Sequence, residues 1–180
     1  MVGYVLLVVF AVIMGAVVFV WLKTYVPSGG LSCLDGVSVF IKELSFDNSI
    51  SRLNLTAKNN GRFNIAGYFI HATNNSSQEV ATIDLSPYLN QNYGGIKLGN
   101  SVLFSAAGVN SLKPGDEKNN IFDIPAGIGE LYSVRVIPTR YQEENNRERF
   151  VSCSNAVVNQ RVGEAVCIPN CAGRVCGSDG

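Results

Sequence analysis

The first 22 residues of the chain contain no charged side chain, and this stretch constrains the fold more than any other feature. A helix rises ~1.5 Å per residue, so the stretch spans about 33 Å, close to the thickness of the hydrocarbon core of a bilayer. Because it is apolar all round, it must be buried on every side, by lipid or by other helices. The sequence therefore predicts a hydrophobic helix over residues 1–26 that ends at Pro27, with residues 27–30 as a linker.

The charges around this stretch give conflicting signals about its orientation. The nearest cation is Lys23, on the C-terminal side, which by the positive-inside rule weakly favours a cytoplasmic head. The five cysteines in the rest of the chain instead favour an oxidising exterior. Both signals are satisfied if a short basic leader preceding Met1 was removed during export. We therefore expect the sequence to be that of a mature form.

An apolar N-terminal helix followed by a β-rich head resembles the organisation of the type IV pilin superfamily. In that family a peptidase removes a short basic leader, and the retained helix becomes the packed core of a filament. Val5 stands where bacterial members usually have glutamate, and the run GYVLLVVFAVIMGAVVFVWLKTYVP is more similar to archaeal pilins and archaellum subunits. The resemblance implies a structural subunit of an extracellular filament for adhesion or motility.

The resemblance also implies partners and locations. The expected partners are identical subunits in a helical filament, the cytoplasmic membrane before assembly, the pilus assembly machinery, and a surface or host-cell ligand. The side chains expected to pack in the filament core are Val5, Val8, Val9, Val12, Gly15, Ala16 and Phe19. Small residues such as Gly15 and Ala16 allow close helix approach, although their spacing is not a GxxxG motif.

A permanent membrane anchor is the alternative interpretation of the same helix. Tyr4, Trp21 and Tyr25 lie near its two ends, as in the aromatic belt of a single membrane span. The chain would then be a monomeric, membrane-tethered binding module with an immunoglobulin-like head. A leader upstream of Met1 would favour the pilin, and a natural start at Met1 would favour the tether.

The head, residues 31–166, has the alternating pattern of short β-strands and is long enough for one hydrophobic core. Leu53, Leu55 and Ala57 alternate with polar residues, and the turn at 59–61 leads to residues 63–73, which we expect to return as the second strand of a hairpin. The passage LNLTAKNNGRF resembles a strand–turn element of immunoglobulin-like modules in prokaryotic surface proteins.

Further strands are expected along the rest of the head, without a helical stretch between them. They fall at residues 37–41, 80–85, 96–104, 120–124, 131–138 and 149–153. The predicted fold class is therefore α+β: a long N-terminal helix followed by an antiparallel immunoglobulin-like β-sandwich.

Two of the five cysteines lie at the ends of the predicted strand region. A disulfide between Cys33 and Cys153 would close a loop of 120 residues. In the chain-entropy model such a loop contributes on the order of 4–5 kcal/mol. The alternative is a pair of buried free thiols, but export favours oxidation.

The other three cysteines lie in a separate tail, residues 167–180, which resembles a cysteine-rich element of secreted prokaryotic proteins. Cys167, Cys171 and Cys176 cannot all pair with one another, and the preferred pairing is Cys167 with Cys176. We expect that the natural chain continues, that one thiol bonds between subunits, or that one stays free. Zinc usually needs four ligands, and the only histidine, His71, is distant in sequence, so no metal is expected.

Three N-glycosylation sequons begin at Asn54, Asn74 and Asn75, about as many as chance predicts. Asn74 and Asn75 lie in a polar loop and are expected acceptors, whereas Asn54 qualifies only if its side chain points outward. No enzyme or cofactor site is recognisable, since His71 lacks a nucleophilic partner and the glycine pairs lack a strand–glycine–helix context. The formal net charge of +0 gives no indication of nucleic-acid binding.

Overall fold

The computed structural model describes residues 2–25, 33–144 and 146–163 of the chain, which divides into the units Met1–Ser32 and Cys33–Gly180. The described part of the first unit is one helix, α1, at Val2–Tyr25. The predicted linker at residues 27–30 lies outside the described residues, as does the tail at residues 167–180. The helix is followed by antiparallel sheets, so the predicted α+β class is confirmed.

Ten strands lie within the described part of the second unit, and all their pairings are antiparallel. They are β1 (Val39–Asp47), β2 (Arg52–Asn59), β3 (Gly67–Thr73), β4 (Ile83–Asp84), β5 (Ile96–Leu98), β6 (Ser101–Leu103), β7 (Glu117–Asp123), β8 (Ser133–Glu144), β9 (Arg147–Ser152) and β10 (Val158–Arg161). One sheet has the order β1-β2-β7. The other has the order β10-β8-β3-β6-β5, with β4 beside β3 and β9 beside β8.

The two sheets bury their apolar faces in one core. Along β2, buried and half-buried residues alternate with a period of two, as a strand with one covered face requires. A buried hydrogen bond joins the sheets, because the Tyr68 hydroxyl on β3 donates to Asn120 Oδ1 on β7 at 2.7 Å. Burial raises the pKa of Tyr68 well above its ordinary value, so the hydroxyl stays protonated and remains a donor.

The predicted hairpin between β2 and residues 63–73 is wrong, because the two segments belong to different sheets. Asn59, at the end of β2, is fully buried where the chain passes from one sheet to the other. Its Nδ2 donates to the carbonyls of Phe63 and Leu112, both at 2.9 Å, and its Oδ1 accepts from the Gly61 amide at 2.9 Å. The turn is therefore tied to a distant segment instead of folding β3 back onto β2.

Two other predicted strands differ from the structure. Residues 96–104 form a hairpin, β5 and β6, which turns at Gly99 with a φ of 57°, a conformation that glycine adopts readily. In the range 80–85 only Ile83–Asp84 is a strand, since a 3₁₀ turn at Ser86–Tyr88 follows at once.

Gly67 lies where β3 passes between β6 and β8, and we expect its replacement by alanine to destabilise the head by at least about 2 kcal/mol. A Cβ there would collide with the Val102 carbonyl oxygen and would lie 2.8 Å from Leu103 Cα. These are backbone atoms that cannot move aside cheaply. Urea unfolding of the full chain in detergent measures the effect.

Gly127→Ala is the matched control for this substitution. A Cβ at Gly127 would have no atom within 4 Å, so the free energy of unfolding should change little. Equal stability of the two variants would contradict the tight approach at Gly67.

Candidate assembly helix, disulfide and modification sites

The helix α1 leaves its apolar side chains uncovered in the single chain. The described residues from Gly3 to Lys23 are exposed, and by length and composition this segment is able to cross a membrane. The side chains expected to pack in a filament recur at intervals of three and four residues, from Val5 to Phe19, so they share one face of the helix. Apart from the adjoining backbone of α1 itself, no atom lies within 4 Å of the position that a Cβ would take at Gly15, so this position is open to a neighbouring helix.

Lys23, the only charged residue of α1, has its side chain near an aromatic ring of the same helix. Lys23 Nζ lies 5.5 Å from the centroid of the Phe19 ring, within the range of a cation–π contact. Lys23 is also in the last turn, where a cation interacts favourably with the helix dipole.

One disulfide, between Cys33 and Cys153, is present in the described residues, and it is the pairing expected from the sequence. The Cα atoms are 4.9 Å apart, a separation that disulfides commonly have. Cys33 is 8% exposed and Cys153 is 0% exposed, which shields the bond from reductants. Cys153 lies between β9 and β10, and its amide donates to the Pro138 carbonyl at 2.8 Å. The bridge therefore fixes the start of the head to the edge of the larger sheet.

The expected pair Cys167 and Cys176 lies outside the described residues, as does Cys171. The structure therefore gives no information on the pairing of the tail. Among the residues that are described, no group of three or more His, Cys, Asp or Glu side chains is placed to hold a metal ion. His71 is half-buried on β3, where it pairs with Asp84 on one side and Arg135 on the other.

The first sequon lies on the outer face of the three-stranded sheet. Asn54 is half-buried on the central strand β2, paired with Ser45 of β1 and Ile121 of β7. The Asn119 side-chain amide donates to Asn54 Oδ1 and also to Thr56 Oγ1, the latter at 3.0 Å. One amide thus engages both the asparagine and the hydroxyl of this sequon, a contact that sequence reasoning missed because Asn119 is 65 residues from Asn54.

The other two sequons overlap in the exposed loop that follows β3. Asn74 Nδ2 donates to the Ile128 carbonyl at 2.8 Å, which joins this loop to another. Asn75 Oδ1 accepts from the Ser77 amide at 3.0 Å and from Ser77 Oγ at 2.7 Å. Adjacent asparagines therefore have different environments, one tied to a distant loop and one engaged only locally.

Charged side chains on the outer face of the smaller sheet form cross-strand pairs. Glu117 pairs with two lysines: its Oε2 is 2.6 Å from Lys42 Nζ, and its Oε1 is 3.1 Å from Lys58 Nζ. In a second pair, Arg52 Nε is 2.8 Å from Asp123 Oδ1. Hydrogen bonds from Lys42 and then Lys58 hold the pKa of Glu117 below its ordinary range. These pairs are exposed, so each contributes little to stability.

This arrangement predicts a modest loss of stability in acid. A carboxyl whose pKa is lowered on folding stabilises the folded state above its ordinary pKa, which for Glu117 is 4.5, and this contribution is lost as the pH falls below that value. Glu117→Gln should therefore reduce the fall in thermal midpoint between pH 7 and about pH 3, measured by circular dichroism. Glu79→Gln, at an exposed carboxylate without an ion pair in the described part of the chain, is the control. Identical acid profiles of Glu117→Gln and the unmodified protein would contradict the prediction.

Comparison with known proteins supplies no family for the chain. No protein-family model matches it, and neither a curated protein nor a solved structure is found to be similar. The conclusions about function therefore depend on the helix, the disulfide and the surface of the head.

Proposed function

We propose that this chain is a structural subunit that polymerises through α1 into an extracellular filament similar to a type IV pilus. The observation that carries the proposal is the uncovered apolar helix, whose side chains from Gly3 to Lys23 are exposed in the single chain. Such a surface must be covered, because exposed apolar area of this extent is unfavourable in water. The bilayer covers it before assembly, and copies of the same helix cover it afterwards.

The proposed mechanism is a transfer of the helix from lipid to protein. Lipid tails and apolar side chains are similar environments, so the hydrophobic free energy changes little on transfer. Specific assembly then depends on close packing and on small residues that let helices approach. Gly15, whose side-chain position is open, is the best placed of the expected packing residues to allow a neighbouring helix to approach closely.

We further propose that the head is an immunoglobulin-like module carried on the outside of the filament. In that fold, strands A, B and E form one sheet and strands G, F and C form the other. The order β1-β2-β7 corresponds to A-B-E, and β10-β8-β3 corresponds to G-F-C. The disulfide differs from the B–F bridge of antibody domains, since Cys33 precedes β1 and Cys153 lies between β9 and β10. Adhesion to a surface or host-cell ligand would be a property of many such heads in one polymer.

The test is electron microscopy of material sheared from the surface of the source cells, with mass spectrometry to identify this chain in it. We expect thin, regular filaments whose reconstruction has α1 at the axis and the heads outside. Recovery of the chain only in the membrane fraction, with no polymer, would overturn the proposal.

A second candidate function is a monomeric, membrane-tethered binding module. It is favoured by the 21-residue length of the segment Gly3–Lys23, which suits a single membrane span, and by the exposed aromatic rings of Tyr4 and Trp21 near its ends. The two candidates differ in the expected effect of a bulky apolar substitution in the helix: a filament subunit would lose assembly, whereas a monomeric tethered module would be unaffected.

A further inference from the structure

The three sequons have the same chemistry but different surroundings, and we infer that Asn75 is the asparagine of this head that accepts an N-linked glycan. Asn54 and Asn74 are less suited, because other parts of the head engage their side chains. The inference goes beyond the proposed filament, because it requires only that the head is exported and meets a glycosyl donor. It holds for a filament subunit and for a tethered module alike.

The chemistry defines what an acceptor site must offer. The side-chain nitrogen Nδ2 attacks C1 of a sugar linked through phosphate to a lipid carrier. The bond between C1 and Nδ2 forms, the bond between C1 and the phosphate oxygen breaks, and the phosphate leaves with the electron pair while the nitrogen loses a proton. The site therefore needs an exposed amide nitrogen, and the sequon rule adds a hydroxyl two residues later.

Asn75 meets these requirements without any change in the sheets. Its side chain is exposed, and Nδ2 donates no hydrogen bond to the described residues, while Oδ1 is the atom engaged by Ser77. The Ser77 hydroxyl, the sequon hydroxyl, is 2.7 Å from Oδ1 of the asparagine. This local turn already brings the two functional groups of the sequon together on the surface.

Asn74 uses its nitrogen for a structural contact. Its Nδ2 donates to the Ile128 carbonyl at 2.8 Å and so holds two loops together across 54 residues of sequence. Ser76, the hydroxyl of this sequon, makes no hydrogen bond to Asn74 among the described residues. A glycan on Asn74 would have to extend from the nitrogen that faces the second loop.

Asn54 is held within a sheet. Its backbone lies on β2, between β1 and β7, so the folded segment would have to break pairing on both sides to leave the sheet. Asn119 engages both Asn54 and the sequon hydroxyl of Thr56. Modification of Asn54 would have to occur before the sheet forms or would disrupt this side-chain pair.

Overlapping sequons allow a sharp experiment on the full-length protein in its native cells. Ser77→Ala removes the sequon of Asn75 and leaves that of Asn74, whereas Ser76→Ala removes the sequon of Asn74 and leaves that of Asn75. Both serines are exposed neighbours, so the two substitutions are matched in size and exposure, and they differ in that Ser77 bonds to Asn75 Oδ1. The readout is the intact mass, together with mass spectrometry of the peptide that contains residues 74 and 75.

We expect the glycan mass to be lost in Ser77→Ala and in Asn75→Gln, and retained in Ser76→Ala and Thr56→Ala. An unmodified mass for the native protein would overturn the inference, as would a glycan that persists in Ser77→Ala. Electron microscopy of the same cells separates this result from the proposed function. Filaments of unmodified subunits would refute the glycan alone, and a glycosylated chain without filaments would refute the filament alone.

Discussion

Replacing Gly15 with leucine is expected to stop filament assembly while the protein still accumulates in the membrane. Leucine is favourable in the centre of a membrane span, by about 0.3–0.6 kcal/mol on the insertion scale, so the bilayer tolerates it. A neighbouring helix cannot yield in the same way, because the added side chain fills space that close helix packing needs. The space around Gly15 is open within the chain, so the substitution causes no clash in α1 itself. The measurement compares sheared filaments with the amount of chain in the membrane fraction.

Three further variants control this result. Met14→Leu changes the adjacent residue, outside the set expected to pack, and should leave filaments at the normal level. Val12→Arg introduces a charge at the centre of the helix, at a cost of about 2.5–3.5 kcal/mol on the insertion scale, and should abolish filaments while the head still folds. Ala11→Arg should act in the same way. Normal filaments from Gly15→Leu would contradict close helix packing at this residue.

Removing the disulfide by the double substitution Cys33→Ala and Cys153→Ala is expected to produce the largest loss of stability in the head. The bridge closes a loop of 120 residues, and the loss of a native disulfide typically costs about 2–5 kcal/mol. For a domain of this size we expect the thermal midpoint to fall by on the order of 10 °C or more. Urea and thermal unfolding of the full chain in detergent measure the loss.

The three tail cysteines remain in the double variant, so any effect of a reductant on the tail is common to both proteins. A reductant therefore supplies an independent control for the loss of the head disulfide. Dithiothreitol added to the unmodified protein in urea should lower its unfolding midpoint toward that of the double variant, and it should not affect the double variant further. In native buffer the reductant should act slowly, because both cysteines are buried. A double variant with the original midpoint would contradict a stabilising role for the bridge.

The sequence pattern was most informative where structure depends on local composition. The uncharged stretch that leads to Lys23 predicts α1, because an apolar segment of that length has few alternatives to a helix. The alternation of Leu53, Leu55 and Ala57 with polar residues predicts β2 and its buried face. Period and length are properties of adjacent residues, so these elements can be derived without knowledge of the rest of the chain.

Strand pairing was decided by contacts between distant residues. The Asn-Gly turn after β2 is a strong local signal for a hairpin, yet Asn59 bonds to Leu112, 53 residues away, and β3 pairs in the other sheet. β10 consists of Val-Asn-Gln-Arg, without apolar alternation, and is a strand because its backbone pairs with β8. Propensity was overridden in both places by the tertiary context.

The candidate sites show the same division between what the sequence determines and what the tertiary structure determines. The sequence by itself determined that the chain has an apolar helix, a pair of cysteines at the ends of the strand region, and three sequons, because residue identity and order are sufficient for each. Only the tertiary structure decided that Asn119 engages Asn54, that Ile128 engages Asn74, and that Asn75 Nδ2 donates no hydrogen bond among the described residues. A hydrogen bond depends on separation in space, and folding brings together residues whose distance along the chain carries no such information.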